Sequence, residues 1–137
     1  MKLLTSVFFA LTIVFSSFAH ARNTVPVINH DNINIVTSDG KVLQAIQIKQ
    51  AIEAAANKND WTITNGEDGK LLAKILVRNK HTVVIEITYD TSKYSINYKD
   101  SNNMKYEVQS GQAMIHPFYN KWVDLFKNSI NAELAKL

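Results

Sequence analysis

Three runs between Leu71 and Tyr98 alternate apolar and polar residues with a period of two. Leu71, Ala73, Ile75 and Val77 share one face of the first. Val83, Ile85, Ile87 and Tyr89 share a face of the second, and Tyr94, Ile96 and Tyr98 of the third. The other faces carry Lys74 and Arg78, then Glu86 and Thr88, then Ser95, Asn97 and Lys99. A second face carrying these polar residues points to antiparallel strands with one face buried and one wet. The connections "RNKH" and "DTSK" are short enough for hairpins. Upstream, Trp61 and Ile63 alternate with Thr62 and Thr64, and "NGEDG" supplies a turn, because Asn and Gly tolerate positive φ. These four runs predict a four-stranded antiparallel meander.

The flanking segments have a different period. Ser38 or Asp39 is placed to cap a helix starting near Lys41. Its apolar stripe runs through Val42, Ala45, Ile46, Ile52 and Ala56, with Lys49 beside them. Leu43, Ala51, Ala54 and Ala55 broaden that stripe, and the alanines permit close approach to a sheet. The helix is expected to stop at "NKND", around Asn57 to Asp60. A second helix runs from Pro117, which suits a first helical turn, to Lys136. Ile115, Phe118, Tyr119, Trp122, Leu125, Phe126, Ile130 and Leu134 lie on one broad arc of it.

Residues 22–40 read as an extended lead-in. Ile33, Ile35 and Val36 offer a short edge strand, and Pro26 argues against a central one. "DSNNMKYEVQSGQ" reads as a polar loop with a short strand at Met104 to Val108. The expected fold is α+β: a two-layer domain over residues 41–137, with an N-terminal and a C-terminal helix packed on one face of the meander.

The chain opens with "MKLLTSVFFALTIVFSSFAHA". A charged start, a short apolar core and the Ala19-His20-Ala21 ending describe a signal peptide over residues 1–21, cleaved after Ala21. The run is too short for a good membrane span, so no stable transmembrane segment is expected after cleavage. No cysteine is present. That removes disulfides, thiol chemistry and cysteine-linked lipid, and it suits a bacterial periplasm or release from the cell. Without Lys2, 14 of the 15 Lys and Arg face 12 Asp and Glu, a net +2. The cations are dispersed and only Arg22 and Arg78 are arginines, so no nucleic-acid partner is expected.

The stretch "IHPFYNKW", Ile115 to Trp122, concentrates functional groups. His116 is a candidate general base at a helix start, with Asn120 one turn along. The plainer reading is a histidine that caps the helix or bonds a loop carbonyl. His30, His81 and His116 share no turn, and no HExxH occurs, so no metal is expected. No serine sits in G-x-S-x-G, carboxylates are not paired, and Gly66 and Gly69 frame a turn rather than a phosphate loop. No cofactor is implied. Tyr89, Tyr94, Tyr98, Tyr106, Tyr119, Trp61 and Trp122 are many amphipathic rings for a small core, which points either to core filling or to a cleft or partner surface.

Several strings carry a resemblance: Ala45-Ile46, Trp61, "YDTSKYSINYKDSNNMKY" from Tyr89 and "IHPFYNKWVDLF" from Ile115. Together they resemble a family of small exported bacterial proteins and lipoproteins with no assigned activity. The resemblance implies an envelope role and supplies no reaction. Many members look like lipoproteins, whereas this chain lacks the cysteine that would carry the lipid. The family's distinctive positions fall here at Tyr94, Ser95, Asn97, Tyr98, Ser101, Asn103, Tyr106, His116, Tyr119, Asn120 and Trp122. The candidate binding residues are therefore Tyr98, Ser101, Asn103, Tyr106, His116, Tyr119 and Asn120. They are expected to converge at the end of the third long strand, its following loop and the start of the second helix. The same network also reads as a lock holding a polar loop on the domain. The leading expectation is a non-enzymatic periplasmic or secreted binding or accessory module for an unknown envelope component or small ligand. The alternatives are a structural homo-oligomer built by sheet-edge pairing and a small hydrolase-like enzyme using His116.

Overall fold

The computed structural model describes residues 23–137; the expected signal peptide lies outside the described residues. In chain order the elements are β1 (Val25–Pro26), β2 (His30–Asn34), α1 (Ala45–Lys58), β3 (Thr62–Asn65), β4 (Leu71–Val77), β5 (His81–Tyr89), β6 (Lys93–Asn102), β7 (Glu107–Gln109), β8 (Gln112–Ile115) and α2 (Phe118–Ala135). Two sheets form, one of five strands in the order β2-β6-β5-β4-β3 and one of three in the order β1-β8-β7. The helices flank them. This overturns the single four-stranded meander expected from the alternation.

The reason lies in segments too short to show a period. β2 joins β6 across a long sequence gap, with His30 opposite Ile96 and Asn34 opposite Lys93. Its register shifts between His30 and Ile33, where Asn32 adopts φ 55°. Such a bulge blurs the alternation that marks a strand. The second sheet grows from a hairpin turned by Ser110 and Gly111, at φ 48° and 77°. Each arm of that hairpin has only three or four residues. β1 completes the sheet by pairing Val25 with Ile115 and Pro26 with Met114, and Pro26 sits on an edge strand, where a missing N–H is tolerated. The strand expected at Met104 to Val108 is displaced to Glu107–Gln109, and Met104 is instead buried in the core.

α1 also starts later than expected. Gln44 is its N-cap, and the Gln47 Oε1 accepts a 2.9 Å hydrogen bond from the Gln44 N–H. Asp39 closes a local turn instead, accepting from the Lys41 N–H at 3.2 Å. Val42 therefore precedes the helix and is 81% exposed. The buried face is Ile48, Ala51, Ile52, Ala55 and Ala56, rather than the stripe through Val42 and Ile46.

One core joins both helices to the inner face of the long strands. Leu71 and Ala73 of β4, Val83, Ile85 and Ile87 of β5, and Tyr94 and Ile96 of β6 meet Tyr119, Val123, Phe126, Ile130 and Leu134 of α2. Trp61 stacks on Phe126 with centroids 5.3 Å apart and planes 18° off parallel, a geometry that contributes about 0.5–1.5 kcal/mol beyond burial. The Tyr94 hydroxyl donates to the Asn131 Oδ1 at 2.5 Å and ties β6 to α2. Asn59 donates to the Ser129 Oγ at 2.8 Å, and Lys58 pairs with Glu133, joining the end of α1 to α2. Among the described residues no helix is long and apolar enough to cross a membrane.

Candidate functional site

Part of the cluster expected at the end of β6 comes together, and a bulge sets the contact of Tyr98 with Ser101. Three residues apart on a regular strand, Tyr98 and Ser101 would point to opposite faces. The register instead runs Ile85 to Tyr98 and Val84 to Asp100, leaving Lys99 as an extra residue. The alternation is reset, so the Tyr98 hydroxyl meets the Ser101 Oγ at 2.8 Å. Tyr106 stacks on Tyr98 with centroids 4.4 Å apart and planes 7° off parallel. Tyr119 meets Tyr98 edge-on at 5.6 Å and 68°. Tyr119 is fully buried and its hydroxyl has no partner among the described residues. Burial pushes the phenols of Tyr98 and Tyr119 above their ordinary range.

The other expected residues act on backbone. Asn103, at φ 57°, donates from Nδ2 to the Lys80 carbonyl at 2.9 Å. Its own carbonyl lies 2.8 Å from the His81 Nδ1. A carbonyl only accepts, so His81 carries its proton on Nδ1. The His116 N–H donates to the Met104 carbonyl at 2.8 Å. The His116 Nδ1 accepts from the Phe118 N–H at 3.1 Å, so the ring caps the start of α2. Desolvation holds the His116 imidazole below its ordinary pKa, with further depression from the charges of Lys105 and His81. Asn120 stands apart from the tyrosines. It accepts from the Ile28 N–H at 3.1 Å and donates to the Pro26 carbonyl at 3.0 Å. It thereby clamps the chain leaving β1.

Tyr98, Ser101, Tyr106 and Tyr119 are thus brought together, Asn103 and His116 border them through His81 and Met104, and Asn120 fastens another segment. Most of their polar atoms already have internal partners. A shallow depression of about 430 Å³ lies over residues 98–106.

A different surface is open. Phe118, Trp122 and Leu125 follow one another at i, i+4 and i+7 on α2, with Lys121 beside them. At 100° per residue they form a stripe about a quarter-turn from the core-facing Tyr119, Phe126 and Ile130. Phe118 is 47% and Leu125 51% exposed. Opposite stand Val77, Arg78 and His81 from the β4–β5 turn, enclosing a groove of about 200 Å³. Phe118 and Trp122 have centroids 5.9 Å apart, and the His116 ring lies 4.7 Å from Phe118. Arg78 and Asn79 both have positive φ, 53° and 52°, and the Lys80 N–H closes the turn on the Val77 carbonyl at 3.1 Å. The candidate cluster therefore braces this groove: Asn103 holds His81 and Lys80, and His116 holds Phe118.

Arg78, His81, Phe118, Lys121 and Leu125 were not among the residues expected to form a site, whereas Trp122 was named among the rings that could line a cleft or partner surface. The available signal was the width of the apolar arc on α2. It is too broad for one core-facing stripe. Among the described residues no three His, Cys, Asp or Glu side chains gather as a metal site. No family model, curated protein or solved structure matched this chain, so the resemblance to small exported proteins rests on the quoted strings alone.

Proposed function

We propose that this chain is an exported, non-enzymatic binding module that docks its partner in the groove between the β4–β5 turn and the start of α2. One observation carries the reading: beside its core face α2 exposes Phe118 and Leu125, with the partly buried Trp122 between them, on a groove shared with Arg78, His81 and Lys121. Exposed aromatics beside arginine are the composition of interface centres rather than of ordinary surface. The N-terminal "MKLLTSVFFALTIVFSSFAHA" supports export.

Two features weigh for docking over the alternatives. The outer strands of the larger sheet are short, with four residues in β3 and five in β2, and β2 is bulged. Short and irregular edges resist strand addition. His116 uses its Nδ1 lone pair on the Phe118 N–H, and no carboxylate raises its pKa, which burial and Lys105 hold down. A general base requires a free lone pair facing its substrate.

Site-specific photo-crosslinking in producing cells tests the reading. A crosslinking residue at Phe118 or Leu125 is expected to yield discrete adducts that Lys121→Glu removes. The same residue at Val42, which is more exposed, is expected to yield none. Equal labelling from all three positions would overturn the proposal.

A further inference from the structure

We infer that the occupant of this groove is an acidic protein segment carrying one aromatic or leucine anchor. The inference rests on the docking reading above and names the chemistry of the partner.

Charge comes first. The groove is lined by Val77, Arg78, His81, Phe118, Lys121, Trp122 and Leu125, with no carboxylate among them. The nearest acid in sequence, Asp124, is engaged elsewhere, 3.0 Å from the Lys127 Nζ and 3.5 Å from the His30 Nε2. No acidic residue lies in the first turn of α2, so no carboxylate of that turn offsets the positive end of the helix, which only the neutral His116 ring caps. Lys105 lies close enough to add its charge at His116, next to Phe118. A partner with carboxylates meets cations from Arg78 and Lys121 together. The Arg78 guanidinium in particular offers a planar fork that fits a carboxylate.

Size and shape select a protein segment among anionic partners. The groove is open along one side and holds about 200 Å³. Sites that enclose small molecules typically run from about 300 to 1,000 Å³ and bury most of the ligand. A groove below that range accommodates one or two side chains, with the rest of the ligand outside it. That is the arrangement of an anchor residue in a segment whose flanking carboxylates reach Arg78 and Lys121. The rim then sets specificity and encounter rate, while Phe118 and Trp122 supply the contact that desolvates.

The test selects random peptides by display on the protein purified from cells expressing the full chain. Peptides pairing Asp or Glu with Trp, Phe or Leu are expected. Their affinity is expected to fall about tenfold or more on Lys121→Glu, to weaken with added salt, and to vanish on Phe118→Asp. Peptides that require Phe118 but are not acidic, and that ignore Lys121→Glu, would overturn the acidic partner and leave the groove standing. Peptides indifferent to Phe118→Asp would overturn the groove as well. Phe118-dependent binding to phosphatidylglycerol vesicles, with no peptide recovered, would overturn the protein segment in favour of a lipid surface. Leu125→Asp serves as a second groove variant, since Leu125 lies outside the core.

Discussion

The Nδ1 of His116 accepts the Phe118 N–H at 3.1 Å while its ring lies 4.7 Å from the Phe118 ring. One histidine thus both caps α2 and supports the first residue of its exposed stripe. Protonation of Nδ1 would replace that acceptor with a donor. Burial, Lys105 and His81 depress the folded pKa below the ordinary 6.5, so the neutral form is favoured in the folded state. Its contribution to stability is full above about pH 6.5 and is lost as pH falls through the lower folded value. Thermal melts are expected to show Tm declining from about pH 7 toward pH 5. His30, also depressed, chiefly by burial, adds with the same sign. His116→Asn keeps a side-chain acceptor two residues before the Phe118 N–H and should flatten part of the slope. An unchanged slope would remove His116 from this role.

Asn120 joins α2 to the chain leaving β1 through two hydrogen bonds, from the Ile28 N–H and to the Pro26 carbonyl. Asn120→Ala is expected to cost about 1–2 kcal/mol. Amide hydrogen exchange should show the loss first at Ile28. Uniform destabilisation without local exchange at Ile28 would contradict a clamp.

Arg78 holds a left-handed backbone at φ 53° in a turn that Asn or Gly would adopt at lower cost. Arg78→Asn is expected to stabilise the fold by about 1 kcal/mol, read as a raised Tm. The same variant should bind acidic peptides more weakly. A variant that is both stabler and equally tight would separate Arg78 from recognition.

The Tyr119 hydroxyl is buried without a partner among the described residues, whereas that of Tyr94 donates to Asn131 at 2.5 Å. Deleting an unpaired buried hydroxyl relieves desolvation; deleting a paired one strands its acceptor. Tyr119→Phe is expected to be neutral or stabilising by up to about 1 kcal/mol, and Tyr94→Phe to cost about 1 kcal/mol, by denaturant titration. Equal losses would mean that Tyr119 has a partner such as bound water.

Phe118 and Phe126 lie on the same helix with opposite assignments. Phe126→Ala removes a fully buried ring stacked on Trp61 and is expected to cost about 3–5 kcal/mol. Phe118→Ala is expected to change stability by under about 0.5 kcal/mol, in the same denaturant measurement.

Four of the candidate residues, Tyr98, Ser101, Tyr106 and Tyr119, were legible as a set for an understandable reason. Tyr98, Ser101, Asn103 and Tyr106 form one turn of chain, and His116 and Tyr119 sit at a helix start, so closure of a polar loop onto that helix was a local expectation. Their roles were not legible. The contact of Tyr98 with Ser101 depends on the extra residue at Lys99, which only the pairing of β6 with β5 reveals. The groove was missed because its walls come from residues forty positions apart, Arg78 and Phe118.

By itself the sequence determined the long strands and two helices, because a period of two or of 3.6 repeated over many residues is a property of the chain. It also placed the turns at "NGEDG", "RNKH" and "DTSK", although positive φ falls at Asp68 and Gly69 in the first and at Arg78 and Asn79 in the second. The tertiary structure alone decided that His30–Asn34 would pair with β6 and that a second sheet would grow from Glu107–Gln109 and Gln112–Ile115. Segments of three to five residues carry too little pattern to specify a partner, and pairing over such gaps is set by which edges the packed core leaves open. The same holds for α2. Its broad apolar arc was visible in the sequence, but the core can cover only one stripe. Tyr119, Val123, Phe126, Ile130 and Leu134 took that place, Trp122 packs partly against them, and Phe118 and Leu125 were left exposed on a groove that Arg78 also lines.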